Sequence, residues 1–486
     1  MQPVFGRHFA TGLLETQRRR NLHRATPRRR RVGSRLPTDV GPQSILPLNG
    51  FDVPPSGRVV VPQCGQSHPR QGVRLGHCNV ALTRERTDPQ VTQPIPDVLA
   101  PAALGPLRLR NRIIKAATFE GMTPGALVSD ALIDYHRAVS VGGVGMTTVA
   151  YLAVAPEGRT EDGQIWMRQE AMDGLRRLTD AVHEAGAAVS AQIGHAGAVG
   201  NQALTGYRAL APSAFVNPLS LRPVQAASKA DIERIRLAHG AAARMAVDVG
   251  FDAVELHFGH NYFTSAFLSP VLNRRRDEYG GALANRARMA REIAATVRES
   301  VGADCAVLAK FNMDDGVPGG LRTDDALQAA KWLEEDGMLD ALELTVGSSL
   351  LNPMYLFRGE APVREWGQAM SSVVRWGLKV FGKAFLKSYP YRDLFLLEQA
   401  RRFRAELTMP LILLGGVTDL SSMKTAMAEG FEFVAMARAL LREPHLVNQI
   451  SAEPEAQSLC IHCNKCMATI YSGTRCVVIT PPLPVG

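Results

Sequence analysis

The chain has no lysine before Lys115, and nowhere does it approach the ~18 to 20 consecutive apolar residues that span a bilayer. The missing apolar run argues against a helical membrane protein, and a cytoplasmic location is expected. No hydrophobic secretory segment precedes the region of regular patterning, so the 7 cysteines are not expected to form a disulfide framework. The missing lysine marks a break in composition. Residues 1–95 hold 15 arginines and 5 acidic residues, a balance of +10 against +9 for the whole chain, which leaves −1 for the remainder. That near-neutral remainder has no electrostatic reason to seek nucleic acid or a membrane surface.

Within residues 1–95, Arg18 to Arg20 and Arg28 to Arg31 stand among scattered Pro, Gly and Gln without helical or strand periodicity. Such a segment buries too little apolar surface to offset its ordering entropy, so a disordered basic extension is expected. An organellar presequence, a basic arm touching nucleic acid, and translation begun upstream of the true start are the alternatives.

What is present, from about residue 100, is one repeated pattern: a short apolar run, a loop, then an amphipathic helical segment. The runs are 112–118, 145–152, 188–195, 252–257, 305–312, 341–347, 410–416 and 432–438. They are continuously apolar rather than alternating, as strands covered on both faces should be. Helices are expected over 169–185, 228–249, 284–300 and 323–336. Glycines 143, 186, 250, 337 and 430 precede strands and read as helix stops. Eight such units predict a (β/α)8 TIM barrel over residues 96–452, with long insertions at 196–230 and 348–408 and a short Cys-rich tail at 453–486. The second insertion contains Trp366 and Trp376 and reads as a small subdomain.

The polar residues gather at one end of the strands: Thr118, Gln192, His257, His260, Lys310 and Arg438. Barrel enzymes build their sites at that face. His257 and His260 can together bond one oxygen, and Tyr262, two positions on, can deliver a proton to a neighbouring carbon. A metal site is the other reading of His-x-x-His, and a structural pair the third. Gly415, Gly416, Ala437 and Arg438, after the seventh and eighth strands, fit the phosphate site of barrels. Lys310, inside an apolar strand, requires a partner or a function.

Residues Asn111 to Thr118, Ala191-Gln-Ile-Gly-His-Ala-Gly197, His257 to Tyr262, and the run Asn273-Arg-Arg-Arg-Asp-Glu-Tyr-Gly-Gly281 resemble the Old Yellow Enzyme family of flavin-dependent ene reductases. The resemblance covers roughly residues 98–452. It implies FMN as cofactor, held by Ala116, Ala117, Thr118, Ala150, Gln192, His257, Lys310, Gly415, Gly416, Ala437 and Arg438, with NADH or NADPH as hydride donor. It further implies that His257 and His260 orient an α,β-unsaturated carbonyl substrate and that Tyr262 protonates it. Departures exist: Lys310 stands where the family usually has Arg, Ala198 replaces a frequent Arg, and Ala437 a usual Gly. An NAD(P)H oxidase or oxidative demethylase on the same barrel is the alternative reaction, and a non-catalytic flavin-binding scaffold the remaining one. A homo-oligomer is allowed by the resemblance.

Cys460, Cys463, Cys466 and Cys476 give the spacing C-x2-C-x2-C-x9-C. It is similar to the cluster-binding cysteines that follow the barrel in 2,4-dienoyl-CoA reductases, although the intervals after the first are shorter. A [4Fe–4S] centre, a structural zinc, and a vestigial site are the open readings.

Overall fold

Strands that are apolar on both faces need both covered, which a closed sheet achieves by filling its inside and wrapping helices around its outside. The protein does this, as a computed structural model describing residues 95–369, 382 and 386–479. The basic extension up to residue 94, Trp376 and the last seven residues lie outside the described residues. The barrel strands are Ile113–Lys115, Met146–Ala153, Ala188–Gly194, Ala253–Phe258, Ala306–Asn312, Ala341–Thr345, Leu411–Leu414 and Phe433–Met436, numbered here first to eighth. All neighbours are parallel, and the eighth pairs back onto the first to close the ring. The expected (β/α)8 TIM barrel is therefore the observed fold.

The first, seventh and eighth strands are shorter than their apolar runs predicted. Their ladders end where the chain peels away toward the mouth, although Ala116 N still donates to Met436 O at 2.9 Å. The helices fall within a few residues of expectation: Met172–Glu184, Lys229–Asp248, Leu283–Val301 and Thr323–Glu335. The five glycines before strands all have positive φ. At Gly143 a Cβ would also stand 2.3 Å from Asn448 Oδ1, so both conformation and space exclude a side chain there.

A hairpin of Ala102–Leu104 and Leu107–Leu109 plugs the N-terminal end of the barrel. Its Leu104 and Leu109 pack with Ile114, Leu308, Ile412 and Phe433 in one buried cluster. That leaves the opposite end open for chemistry. There the insertion after the third strand folds into a small sheet of Leu210–Ala211, Phe215–Val216 and Pro223–Ala226. The Asn273–Gly281 run fastens it: Arg275 Nη1 donates to Pro212 O at 3.0 Å and Ala227 O at 2.6 Å, while its other nitrogens grip Asp277. The described part of the sixth-strand insertion contributes Pro353–Phe357, Val363–Ala369 and Leu397–Arg404. The Cys-rich tail packs onto this insertion, Met467 meeting Met354 and Leu386. No helix among the described residues is long and apolar enough to cross a membrane.

The helix entering the fourth strand begins with a reciprocal cap. Ser228 Oγ accepts from Asp231 N at 3.1 Å, and Asp231 Oδ2 accepts from Ser228 N at 3.0 Å. Ser228→Ala is expected to cost about 1 kcal/mol. Urea titration should show a lower midpoint at unchanged slope, and an unchanged midpoint would deny the cap any stabilising role.

Candidate active site at the barrel mouth

The fourth strand delivers His257 to the mouth, and two consecutive non-glycine residues, His260 and Asn261, then take left-handed φ values of 61° and 59°. Such conformations cost of order 1 to 3 kcal/mol each and persist where the surroundings enforce them. Here Asn312 Oδ1 accepts from His260 N at 3.2 Å, and His260 Nε2 lies 3.0 Å from Thr345 Oγ1. Ser265 Oγ ties the following helix, Phe263–Leu268, back to Gly259 O at 2.6 Å. The sharp turn folds Tyr262 back over the strand it left. Ring centroids are 5.2 Å apart for His257 and His260, and 4.3 Å for His257 and Tyr262. The three side chains expected to act together do converge.

Burial sets their protonation. It holds His257 well below the usual histidine range, with His260 and Lys310 adding to the effect. Burial, then Lys310, bring His260 down to about 3. Both imidazoles are therefore neutral near pH 7, each with one N–H to donate. The Nδ1 of His257 is buried and has no hydrogen-bond partner among the described residues. Burial raises the Tyr262 phenol well above its ordinary value, with Tyr471 contributing, so it stays protonated near pH 7.

Beneath this trio lies a buried ionic layer. Register sets Lys310 beside Glu343 on the sixth strand and beside His257 on the fourth. The lysine bonds Glu343 and stands 3.6 Å from Glu255, whose carboxylate also accepts from Gln192 Nε2. Burial pulls the Lys310 pKa down, but the two carboxylates outweigh it and hold it above the ordinary value. Glu255 is pushed up to about 7 by burial, against the lysine and with the help of Glu343. Lys310 thus sits where expected, but in a balanced cluster rather than as a lone positive charge. Lys115 completes the layer, its Nζ without a hydrogen bond and 5.0 Å from the centre of the Tyr135 ring. Burial lowers it to about 8 despite nearby Glu120.

Sequence reasoning singled out Lys310 and passed over Lys115, Glu120, Glu255 and Glu343. The signal was available: Ile-Ile-Lys115, Val-Glu255-Leu and Leu-Glu343-Leu each set one charge in a strand otherwise too apolar to carry it.

Across the mouth, Gly415 and Gly416 have φ of 100° and 84°. A Cβ on Gly416 would lie 2.6 Å from Leu394 N, so the later part of the sixth-strand insertion passes directly over this turn. The amides of Gly415, Gly416 and Val417 have no acceptor among the described residues, which suits an anion. Arg438 opens the short helix Arg438–Arg442 after Ala437, and its Nη1 donates to Arg358 O at 3.2 Å and to Asn464 Oδ1. Thr118 Oγ1 donates to Ala116 O at 3.1 Å, and Ala117 is half-buried beside it. The amide of Ala150 is taken by Glu120 Oε1 at 3.1 Å, leaving its small buried side chain as the surface on offer.

Asn464 belongs to the tail, so Arg438 joins this region to the cysteines. Cys460, Cys463, Cys466 and Cys476 line one cavity of about 30 Å³ together with Arg438 and Arg442. All four are free thiols. Burial raises Cys460 and pushes Cys466 to about 11. Among the described residues no three metal-ligating side chains are arranged to hold a single ion.

The model of the NADH:flavin oxidoreductase / NADH oxidase family matches residues 97–346. A 4,4'-dithiodibutanoate disulfide reductase of Rhodococcus erythropolis is 54% identical over 387 residues, covering 80% of this chain and 96% of that protein. A multifunctional alkene reductase/demethylase OYE of Caballeronia cordobensis is 28% identical over 365 residues, covering 74% of this chain and 50% of that one. The chain therefore spans about half the length of the latter relative. The solved structure of an old yellow enzyme homologue from Zymomonas mobilis shares the fold, with a TM-score of 0.59 at 20% identity, over 76% of this chain and 96% of that one. By sequence and by fold, the chain belongs to the NADH:flavin oxidoreductase / NADH oxidase family, the family of Old Yellow Enzyme, and is an NAD(P)H:flavin oxidoreductase.

Proposed function

We propose that this enzyme uses FMN at the barrel mouth to reduce the activated C=C bond of a small α,β-unsaturated carbonyl compound. The convergence of His257, His260 and Tyr262 is the observation that carries the reading. FMN, when bound, accepts hydride from a nicotinamide and passes it to the substrate. The free amides of Gly415 to Val417, with Arg438, suit its phosphate, while Ala116, Ala117, Thr118, Ala150, Gln192 and the Lys310 layer would line its ring.

The protein's own part is orientation and proton delivery. The two neutral imidazoles each donate a hydrogen bond to the carbonyl oxygen and hold the negative charge that develops there, an effect of roughly 3 to 4 kcal/mol per donor. Tyr262 gives its phenolic proton to the carbon next to that carbonyl, and the phenolate recovers one from water. Closure of the site by Tyr151 and the buried helix Phe263–Leu268 keeps water from competing for these donors.

A second reading, supported by the relative named as a disulfide reductase, is cleavage of an organic disulfide. Hydride then adds to one sulfur, the S–S bond breaks, and Tyr262 protonates the departing thiolate. The histidine pair has no developing oxyanion to hold in that reaction, which is why the enone stands first. Anaerobic titration of the purified protein with NADH or NADPH, followed by cyclohexenone or 4,4'-dithiodibutanoate, separates the two. Bleaching of a yellow protein with recovery by the enone alone supports the first reading, and recovery by the disulfide alone the second. A colourless protein after reconstitution with FMN would overturn both.

For the tail, we infer that Cys460, Cys463, Cys466 and Cys476, four free thiols lining one cavity, hold a metal, as an iron–sulfur cluster or as zinc. Replacing all four together by Ser should abolish bound iron, with its acid-labile sulfide, or bound zinc. Unchanged metal content would refute a metal site there. Tyr262→Phe should slow reoxidation of reduced enzyme by the enone at least ~10²-fold while sparing flavin reduction, the scale of general-acid catalysis. Equal loss in both half-reactions would remove Tyr262 from that role. Because His257 and His260 lie far below the usual histidine range, the enone step should show no histidine break between about pH 5 and 8. An inflection near 6.5 that disappears in His260→Asn would contradict the neutral pair.

A further inference from the structure

The nine residues between Cys466 and Cys476 do more than space two thiols. They fold into a closed loop: Thr469 Oγ1 donates to Cys466 O at 2.8 Å and accepts from Arg475 N at 3.1 Å. The loop then reaches across to the chain leaving the first barrel strand. Thr474 N donates to Glu120 O at 2.7 Å, and Thr474 Oγ1 donates to Phe119 O. At Gly121, with φ of 62°, a Cβ would fall 2.0 Å from Ile470 O, so the two backbones touch there and only glycine permits it.

This docking carries Tyr471 to the mouth. Its ring meets Phe119 edge-on, with centroids 6.2 Å apart. Phe119, Trp166 and Tyr262 in turn pack against one buried cluster built on Ala150, Tyr151, Ala153 and Ala196. Tyr471 is near enough to Tyr262 to help raise its phenol. Tyr471 as a whole is 43% exposed, while burial pushes its phenol up to about 12, with Glu161 adding, so the hydroxyl end lies buried and another part of the residue stays open. An aromatic ring docked through Phe119 onto the cluster that also carries Tyr262, and still partly open to solvent, offers surface to a ligand.

We propose that Tyr471 is a specificity-determining residue, the loop between the third and fourth cysteines forming the outer wall of the acceptor pocket and favouring planar, aryl-bearing acceptors. The inference rests on the reading of Tyr262 as proton donor. Phe119, Trp166 and Tyr471 present neutral aromatic surface, so an acceptor with its own ring gains edge or face contacts that a plain cyclic enone does not.

The test uses full-length holoenzyme reduced anaerobically with dithionite and mixed with either cyclohexenone or benzylideneacetone. Tyr471→Ala should lower the ratio of reoxidation rate constants, aryl over plain, by about fivefold to tenfold, the scale of one or two aromatic contacts. Thr474→Val, which keeps the ring but loses the hydroxyl anchor on Phe119 O, should shift the ratio in the same direction by a smaller factor. An unchanged ratio in both variants, with Tyr262→Phe still slow toward both acceptors, would overturn the wall and leave the proton donor standing. Tyr262→Phe as fast as the parent would overturn the underlying reading, whatever the ratio does.

Discussion

Parallel pairing in a closed ring is the constraint on which everything else depends. Once the eighth strand pairs with the first, no strand can slip, because a shift of one residue would turn every inward side chain outward. Register therefore decides which charges meet. Lys310 faces Glu343 and His257 across its two neighbours, and Gln192 faces Glu255. A buried lysine flanked by two carboxylates is tolerable only because these pairings are fixed; any one of the three alone would leave an uncompensated charge in an apolar interior.

That layer also changes how the cofactor region is understood. A single positive charge would favour an anion above it unconditionally. The observed cluster instead holds one lysine, two carboxylates and Lys115 close by, with Glu255 poised near neutrality. The departure noticed in the sequence, Lys310 in place of an arginine, thus keeps a positive charge between two carboxylates but supplies it as a compact ammonium rather than a planar fork.

The barrel was legible because its signals are periodic and repeated: eight apolar runs, helices between them, and glycines where helices stop. The histidine pair and Tyr262 were legible because they interrupt a strong strand at its end. Strand lengths at the mouth were less so, since apolar residues of the first, seventh and eighth runs continue beyond the ladder to line the opening. The ionic layer was hidden by the same logic that revealed the strands, each charge appearing as a lone exception in an apolar run. The role of Asn273 to Gly281 was visible only as a resemblance. Its mechanical task, Arg275 clamping the inserted sheet, depends on partners some 50 to 60 residues away. The docking of the cysteine loop on residues 119–121 bridges about 350 residues and has no local sequence signal.

The turn after the fourth strand sets folding and catalysis against each other. His260 and Asn261 are forced into left-handed backbone that glycine would adopt without strain. Glycine at either position would relieve that strain, but at 260 it would remove an imidazole and its contact with Thr345. Strain at this corner is thus tied to use, because the proposed reaction needs the His260 side chain where the backbone would prefer none.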